Sequence, residues 1–114
     1  MRLILPMPGN ETLAQALAMR ATAELGAIEA RRFPDEEAYV RVLSDVRGKD
    51  VDVVCTLARP DTQFLSLVFV ANTLREIGAK TITLVAPYLA YMRQDKRFKD
   101  GEAVTSVHFA RLLS

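Results

Sequence analysis

Two short β-rich runs separated by a helical pattern constrain this fold more than any other feature. Residues 51–57 read Val-Asp-Val-Val-Cys-Thr-Leu, residues 81–86 read Thr-Ile-Thr-Leu-Val-Ala, and residues 62–77 between them are strongly apolar. A nearly continuous apolar strand is typical of the centre of a parallel sheet. Strands that alternate with helices indicate the same layered architecture. The sequence therefore predicts an α/β fold with a mainly parallel sheet flanked by helices.

The first quarter of the chain predicts a strand followed by a helix. A strand at residues 3–5 ends at Pro6, and Asn10 occupies the position of a helix N-cap. Apolar residues then recur at helical spacing as far as Leu25, and Gly26 stands where a left-handed C-terminal residue is favoured. We therefore expect one amphipathic helix to end at Leu25.

Two further short strands and a last helix complete the pattern. Residues 27–32 and 38–43 are rich in strand formers, and we expect the pair to form an antiparallel edge or flap. Residues 103–113 predict an amphipathic helix. Because no internal repeat or linker interrupts the order, residues 1–114 are expected to form a single domain.

Composition limits the kinds of partner. The chain has 114 residues, is 50% hydrophobic and carries a formal net charge of +1, so it lacks the global basic field that drives non-specific binding to nucleic acid or membranes. No run resembles a signal peptide or a membrane span, and a cytoplasmic protein without membrane or nucleic-acid partners is expected. The single cysteine, Cys55, lies inside an apolar run and is expected to be a buried structural thiol.

Residues 88–102 form a densely charged segment directly after the predicted strand at 81–86. Ligands of open α/β sheets lie outside the carboxyl ends of the strands, so this position favours a binding role. The segment is also longer than an ordinary connection, and its alternative is a solvated basic loop. Its cations exceed its anions and suit phosphate oxygens, which predicts an anionic ligand. The cations are Arg93, Lys96, Arg97 and Lys99, and the anions among them are Asp95 and Asp100.

Other familiar phosphate and metal signatures are absent from the sequence. There is no G-x-x-x-x-G-K-[ST] and no G-x-G-x-x-G after a strand, which disfavours P-loop and dinucleotide-binding proteins. No His and Cys residues have zinc spacing, and the lone His108 is expected to be a half-buried helix residue. No metal ligand is predicted within this chain.

An aromatic and acidic cluster, Phe33-Pro34-Asp35-Glu36-Glu37, joins the two short strands. An adenine ring could stack on Phe33 while a carboxylate accepts a hydrogen bond from its exocyclic amine. An ordinary charged turn with Phe33 tucked into the core is the alternative.

Two motifs in the same order give the chain a family resemblance. Arg32-Phe33-Pro34-Asp35-Glu36-Glu37 is similar to the R-F-[PS]-D-G-E motif of ribose-phosphate pyrophosphokinases, also called phosphoribosyl pyrophosphate synthetases. The segment from Pro87 to Arg97 resembles the P-Y-x-x-Y-x-R-Q-D-[RK]-[RK] motif of the same family. Two separate motifs are more specific than either alone. The chain resembles the family's N-terminal, phosphoribosyltransferase-like domain over essentially its whole length.

The resemblance implies a reaction and a set of site residues. The family transfers the diphosphoryl group of ATP, with Mg²⁺, to ribose 5-phosphate and forms phosphoribosyl pyrophosphate and AMP. The residues implied at the adenine site, which a neighbouring subunit supplies in this family, are Phe33, Asp35 and Glu37. Those implied to contact ATP are Arg93 and Gln94, with Lys96, Arg97 and Lys99 as secondary candidates. A homo-oligomer, either a dimer or a hexamer, is expected.

The chain departs from the family pattern in two ways. Glu36 replaces the usual Gly, and a positive φ there would cost a non-glycine residue about 1 kcal/mol or more. The family's second domain, which binds ribose 5-phosphate, and its metal-binding His lie beyond position 114. The chain alone is therefore expected to lack synthetase activity.

Two other classes of function stay open. A non-catalytic, synthetase-like regulatory or scaffold module would keep the fold and the oligomer surface, whereas a nucleic-acid binder is disfavoured because the basic charge is confined and interleaved with acids. The nucleotide interpretation requires the corner near position 35 to face the cationic rim near position 93, within one molecule or between two copies.

Overall fold

A computed structural model describes residues 1–87, 99–101 and 103–113, the side chains of Pro60 and His108 excepted. Strands and helices alternate as the sequence predicts, with two strands inserted between β2 and β5. The strands are β1 (Arg2–Pro6), β2 (Glu24–Leu25), β3 (Ile28–Arg32), β4 (Ala38–Val42), β5 (Asp50–Val54) and β6 (Thr81–Val85), and the helices are α1 (Glu11–Ala21), α2 (Pro60–Glu76) and α3 (Thr105–Leu113).

The main sheet has four strands in the order β2-β1-β5-β6, and every pair is parallel. β5 is central, with Val53 paired to Leu5 of β1 on one side and to Leu84 of β6 on the other. The predicted α/β fold with a mainly parallel sheet is confirmed. The carboxyl ends of β1, β5 and β6 consequently share one edge, which is the usual ligand-binding edge of such sheets.

Both faces of this sheet are covered. On one face Leu3, Leu5 and Val53 belong to a buried cluster with Val70 and Leu74 of α2. On the other face a smaller cluster packs beneath α1 and consists of Ile4, Ala14, Ala18 and Val54. A strand buried on both faces favours a nearly continuous apolar run over an alternating one, and residues 51–57 have such a run, interrupted by Asp52 and Thr56.

The first helix is shorter than predicted. α1 ends at Ala21, Thr22 adopts the left-handed conformation with φ of 51°, and Glu24–Leu25 forms strand β2 beside β1. The prediction that the helix continues to Leu25 is wrong because that segment gains strand pairing to β1 instead. Gly26 lies in a close approach, since a Cβ atom there would be 3.0 Å from Leu3 Cδ1 and the neighbouring side chains would have to shift.

The two short strands form a hairpin that is separate from the main sheet. β3 and β4 pair antiparallel, with Ala30 opposite Val40 and Arg31 opposite Tyr39. The inward side chains of Ile28, Val40 and Val42 pack against the larger core cluster. The hairpin is therefore the predicted flap, and it is attached through side chains rather than as an edge strand.

The helix α2 is buried on one side only. Val70 and Leu74 are fully buried, whereas Leu65 and Phe69 on the same helix are 53% and 40% exposed. Among the residues that the structure describes, no helix combines the length and the hydropathy of a transmembrane segment.

Candidate functional site

The predicted aromatic and acidic corner, residues 33–37, is the turn of the β3–β4 hairpin. The Glu36 N–H donates to the Phe33 carbonyl and the Phe33 N–H donates to the Glu37 carbonyl, both at 2.8 Å. The first bond closes a β-turn, and the second returns the chain to strand pairing after one left-handed residue, a common arrangement in hairpins with short loops. Local hydrogen bonds therefore fix the backbone of the corner.

Glu36 is the left-handed residue of this turn, with φ of 71°. The predicted departure from glycine thus falls at a position where glycine has a conformational advantage, and the side chain costs about 1 kcal/mol there. Both hydrogen bonds of the turn form nonetheless. Replacing the glycine adds strain without abolishing the turn.

The two other acidic residues differ in how tightly they are held. The Glu37 backbone N–H donates to the Asp35 carboxylate at 3.1 Å, which orients the Asp35 side chain across the turn. Both residues are exposed. Ionised carboxylates are acceptors only, so the turn presents hydrogen-bond acceptors to solvent beside Phe33.

An aromatic and cationic cluster lies on the outer face of the hairpin next to this turn. The Phe33 ring is 40% exposed and meets the Tyr39 ring edge-to-face, with centroids 5.5 Å apart. The Arg31 guanidinium lies 4.5 Å from the Tyr39 centroid and 5.3 Å from the Phe33 centroid. The alternative in which Phe33 is tucked into the core is excluded by this exposure. Tyr39 and Arg31 contact the ring, and part of it remains accessible to solvent.

Sequence reasoning missed Arg31 and Tyr39 as neighbours of Phe33. The alternation of a strand could have found them, because Phe33 follows Arg31 by two residues at the end of β3 and Tyr39 pairs directly with Arg31. Finding them would have required the register of the hairpin. The sequence did not decide even whether the two strands form an antiparallel edge or a flap.

A second polar feature lies at the carboxyl edge of the main sheet. Asn10 is 5% exposed, and its side-chain amide donates to the carbonyls of Met7 and Pro8, both at 3.2 Å. Its side-chain carbonyl accepts from the Thr56 N–H at 3.1 Å and from the Thr56 hydroxyl at 2.8 Å. Asn10 therefore links the loop after β1 to the loop after β5.

This geometry corrects the predicted role of Asn10. The residue does stand at the N-cap of α1, but its side chain makes no capping hydrogen bond. Its side chain is used across the sheet edge instead, because Thr56 presents both a backbone and a hydroxyl donor there. A partly buried crosslink between residues 46 positions apart leaves no local signal in sequence.

The single thiol is buried close to this edge. Cys55 is fully buried directly after β5, and burial raises the pKa of its thiol to about 11. A thiol of that pKa is protonated near neutral pH and is a poor nucleophile. The prediction of a buried structural thiol is confirmed.

The predicted phosphate contacts fall mostly outside the described residues. Arg93, Gln94, Lys96 and Arg97 lie between residues 88 and 98, and their approach to the hairpin turn stays a prediction. Lys99 is described and exposed. The predicted half-burial of the His108 side chain also lies outside what the structure describes, although its backbone is in α3.

No group of three or more His, Cys, Asp or Glu side chains that could hold a metal ion occurs among residues 1–87, 99–101 and 103–113. The acidic turn does not itself form such a group.

Comparison with known proteins identifies the family. The family model for the N-terminal domain of ribose phosphate pyrophosphokinase matches residues 2–114. The chain belongs to that family. Ribose-phosphate pyrophosphokinases of Saccharolobus solfataricus and Sulfolobus acidocaldarius are 42% and 43% identical to it over 106 and 105 residues. These alignments cover 92% and 91% of the chain but 35% of each relative, so the chain spans about a third of their length.

Solved structures agree with this family. A phosphoribosylpyrophosphate synthetase from Mycobacterium smegmatis superposes with a TM-score of 0.87 at 27% identity, over 98% of this chain and 38% of that one. A purine phosphoribosyltransferase from Pyrococcus horikoshii shares the fold, with a TM-score of 0.59 at 18% identity over 78% of this chain and 63% of that one. The phosphoribosyltransferase-like architecture predicted for the N-terminal domain is thereby confirmed.

Membership of the ribose-phosphate pyrophosphokinase family gives the hairpin turn a context. The family's R-F-[PS]-D-G-E motif, as far as the sequence matches it, coincides with the end of β3 and the turn that follows. Three of its side chains, Phe33, Asp35 and Glu37, are exposed in this structure. A family motif whose side chains do not fill the core is free to serve a ligand.

Proposed function

We propose that this chain is the nucleotide-binding, N-terminal part of a ribose-phosphate pyrophosphokinase. In the proposed reaction the anomeric oxygen of ribose 5-phosphate attacks the β-phosphorus of ATP, and the bond from that phosphorus to the α,β-bridging oxygen breaks. AMP leaves, the anomeric hydroxyl loses its proton, and phosphoribosyl pyrophosphate forms. The observation that carries the proposal is that Phe33, Asp35 and Glu37 are all exposed on one hydrogen-bonded turn.

The corner suits the purine end of ATP. An exposed aromatic face stacks on a base, and stacking on an aromatic side chain contributes roughly 1 to 3 kcal/mol per base. The carboxylates beside it accept hydrogen bonds, as the exocyclic amine of adenine requires. Because the Phe33 ring is already fixed against Tyr39, little side-chain entropy remains to be lost on binding.

The phosphate end of ATP is assigned to the charged segment. Arg93 and Gln94, with Lys96, Arg97 and Lys99 as secondary candidates, would neutralise and align the triphosphate, since phosphoryl transfer depends mainly on positioning and charge stabilisation. Mg²⁺ would arrive with the nucleotide and stabilise charge on its phosphates, and no step assigned to this chain depends on it. Ribose 5-phosphate is assigned to the part of the relatives that this chain does not span.

A homo-oligomer, either a dimer or a hexamer, belongs to the same proposal. The outer face of the hairpin is exposed, so it can contact only one side of a flat ring. It would therefore form half of a binding site. A neighbouring copy that presents its charged segment to this face would complete the site. A cytoplasmic location, without nucleic-acid or membrane partners, fits these small anionic substrates.

The proposal is tested by calorimetric titration of ATP with Mg²⁺ into the wild-type chain and two phenylalanine variants. Phe33 and Phe69 are both 40% exposed, one on the hairpin and one on α2, so they are matched in exposure. Phe33→Ala should weaken ATP binding at least fivefold, because the stacking platform is lost, whereas Phe69→Ala should bind like the wild type. An Arg93→Ala variant should also bind more weakly.

Equal ATP affinities for the wild type, Phe33→Ala and Phe69→Ala would remove the hairpin from the nucleotide site. An unaffected Arg93→Ala would remove the charged segment. The chain would then keep its family fold as a synthetase-like scaffold module, the other function that its sequence allowed.

A further inference from the structure

We infer that Arg32 is a positioning residue that holds the Phe33 corner in place and is not a contact to the phosphates of ATP. The inference rests on the function proposed above. The other role open to an arginine beside a nucleotide site is that of a phosphate ligand.

Arg32 and its neighbour Arg31 lie on opposite faces of the hairpin. Arg31 is on the outer face, where its guanidinium stacks beside Tyr39. Arg32 is the last residue of β3 and pairs with Ala38, and it shares the inner face with Ile28 and Ala30. Arg32 is exposed, yet its guanidinium reaches the carbonyl of Thr62 in α2 rather than the aromatic cluster.

Both ends of the Arg32 guanidinium are used on backbone carbonyls. Nη1 donates to the carbonyl of Glu36 at 2.8 Å, and Nη2 donates to the carbonyl of Thr62. Glu36 is the left-handed residue of the turn, and Thr62 lies in the first turn of α2. One side chain therefore joins the strained point of the corner to the helix that packs on the main sheet.

A planar guanidinium is suited to this task. Its donors form a rigid fork, so the two carbonyls are held at a fixed separation and angle, which a lysine ammonium on a flexible stem would not enforce. The hairpin is not hydrogen-bonded into the four-stranded sheet. Apolar packing from Ile28, Val40 and Val42 attaches the hairpin to the core but does not fix its orientation. The hydrogen bonds of Arg32 add a contact that depends on that orientation.

A small pocket lies where this link crosses from hairpin to helix. It has a volume of about 130 Å³, and its lining includes Pro8 after β1, Arg32, and Gln63 of α2. If the link were cut, the hairpin could move across this space and carry Phe33 with it. The position of the Phe33 ring, on which the purine is proposed to stack, would then no longer be fixed relative to the main sheet.

The test compares Arg32→Met with Arg31→Met, which removes an adjacent arginine from the opposite face. Amide hydrogen exchange of Phe33 and Glu36, the two turn donors, should accelerate at least tenfold in Arg32→Met and stay within twofold of the wild type in Arg31→Met. The amides of Leu5 and Val53 in the central sheet should be unchanged, which shows that the fold is intact. Arg32→Lys should give an intermediate rate, because a point charge reaches one carbonyl at a time, and this variant takes the place of Arg32→Met if the latter does not fold.

A second measurement separates positioning from direct contact. ATP and inorganic triphosphate are titrated into the wild type and the two Arg32 variants. Loss of a purine platform should lower ATP affinity at least fivefold in Arg32→Met and leave triphosphate affinity unchanged. A parallel loss of both affinities would overturn the inference and make Arg32 a phosphate ligand.

Unaltered exchange of Phe33 and Glu36 in Arg32→Met would overturn the inference as well. Failure of the proposed function has a different signature, which is a wild-type chain that binds no ATP. In that case the exchange measurement still decides whether Arg32 holds the turn.

Discussion

Strands β1 and β5 of the central sheet and both strands of the β3–β4 hairpin are five residues long, yet the two regions use their side chains in opposite ways. In β1 and β5 the side chains of Leu3, Leu5 and Val51 are fully buried, and the strands serve the core on both faces. In the hairpin only the inner face packs, and the outer face exposes Arg31 and Phe33. The buried side chains of the sheet are needed for folding, whereas the exposed side chains on the outer face of the hairpin are not. Residues that folding leaves free are the better candidates for ligand binding.

The largest expected effect contrasts a leucine in each region. Leu5→Ala should lower the free energy of unfolding by about 2 to 5 kcal/mol, because it leaves a cavity in the larger core cluster. Leu43→Ala, at the exposed end of the hairpin, should change it by less than about 0.5 kcal/mol, since Leu43 is 54% exposed. Urea denaturation followed by circular dichroism measures both. Equal losses would mean that the hairpin is as much a part of the core as the sheet.

A smaller loss is expected at the edge of the sheet. Asn10→Ala removes the partner of two Thr56 donors and of the Met7 and Pro8 carbonyls. Stability should fall by about 1 to 3 kcal/mol, the usual penalty for leaving buried polar groups unsatisfied.

The matched control for that variant is Asn72→Ala. Asn72 is exposed on α2 and accepts one hydrogen bond, from Arg75 at 2.9 Å, so its loss should cost under about 0.5 kcal/mol. If both asparagine variants unfold at the same urea concentration, the crosslink between the two loops does not contribute to stability.

The smallest effect is a gain, and it belongs to the hairpin. Glu36→Gly should raise the free energy of unfolding by up to about 1 kcal/mol, because glycine adopts a φ of 71° without a Cβ penalty. Glu37→Gly is the control at a neighbouring position without positive φ, and it should give no gain. Thermal melts of the three proteins decide the matter, and a less stable Glu36→Gly would show that the Glu36 side chain compensates for its own strain.

The main sheet could be predicted from the sequence because a strand that is buried on both faces has a nearly continuous apolar run, as at residues 51–57. The end of α1 could not. Leu13 and Leu17 continue at helical spacing to Leu25, and only the pairing of Leu25 with Ile4 in the folded sheet decides that residues 24 and 25 form a strand. A tertiary hydrogen-bonding partner overrides a local period in such a case.

The candidate site shows the same division. Phe33, Asp35 and Glu37 could be named because a motif keeps them adjacent in sequence, and the positive φ of Glu36 follows from the glycine that it replaces. The Asn10 link to Thr56 and the Arg32 link to Thr62 join distant segments, so neither leaves a local pattern. Long-range polar contacts are the part that required the structure.

The central claim is that the hairpin turn receives the purine of ATP. Its most direct test is a titration of ATP into the isotopically labelled chain, followed by amide chemical shifts and by intermolecular contacts between adenine protons and aromatic side chains. The account predicts contacts from adenine to the Phe33 ring, with shifts centred on residues 33–37 and accompanying shifts at Arg93 and Gln94. Adenine contacts elsewhere, with an unperturbed hairpin turn, would contradict it.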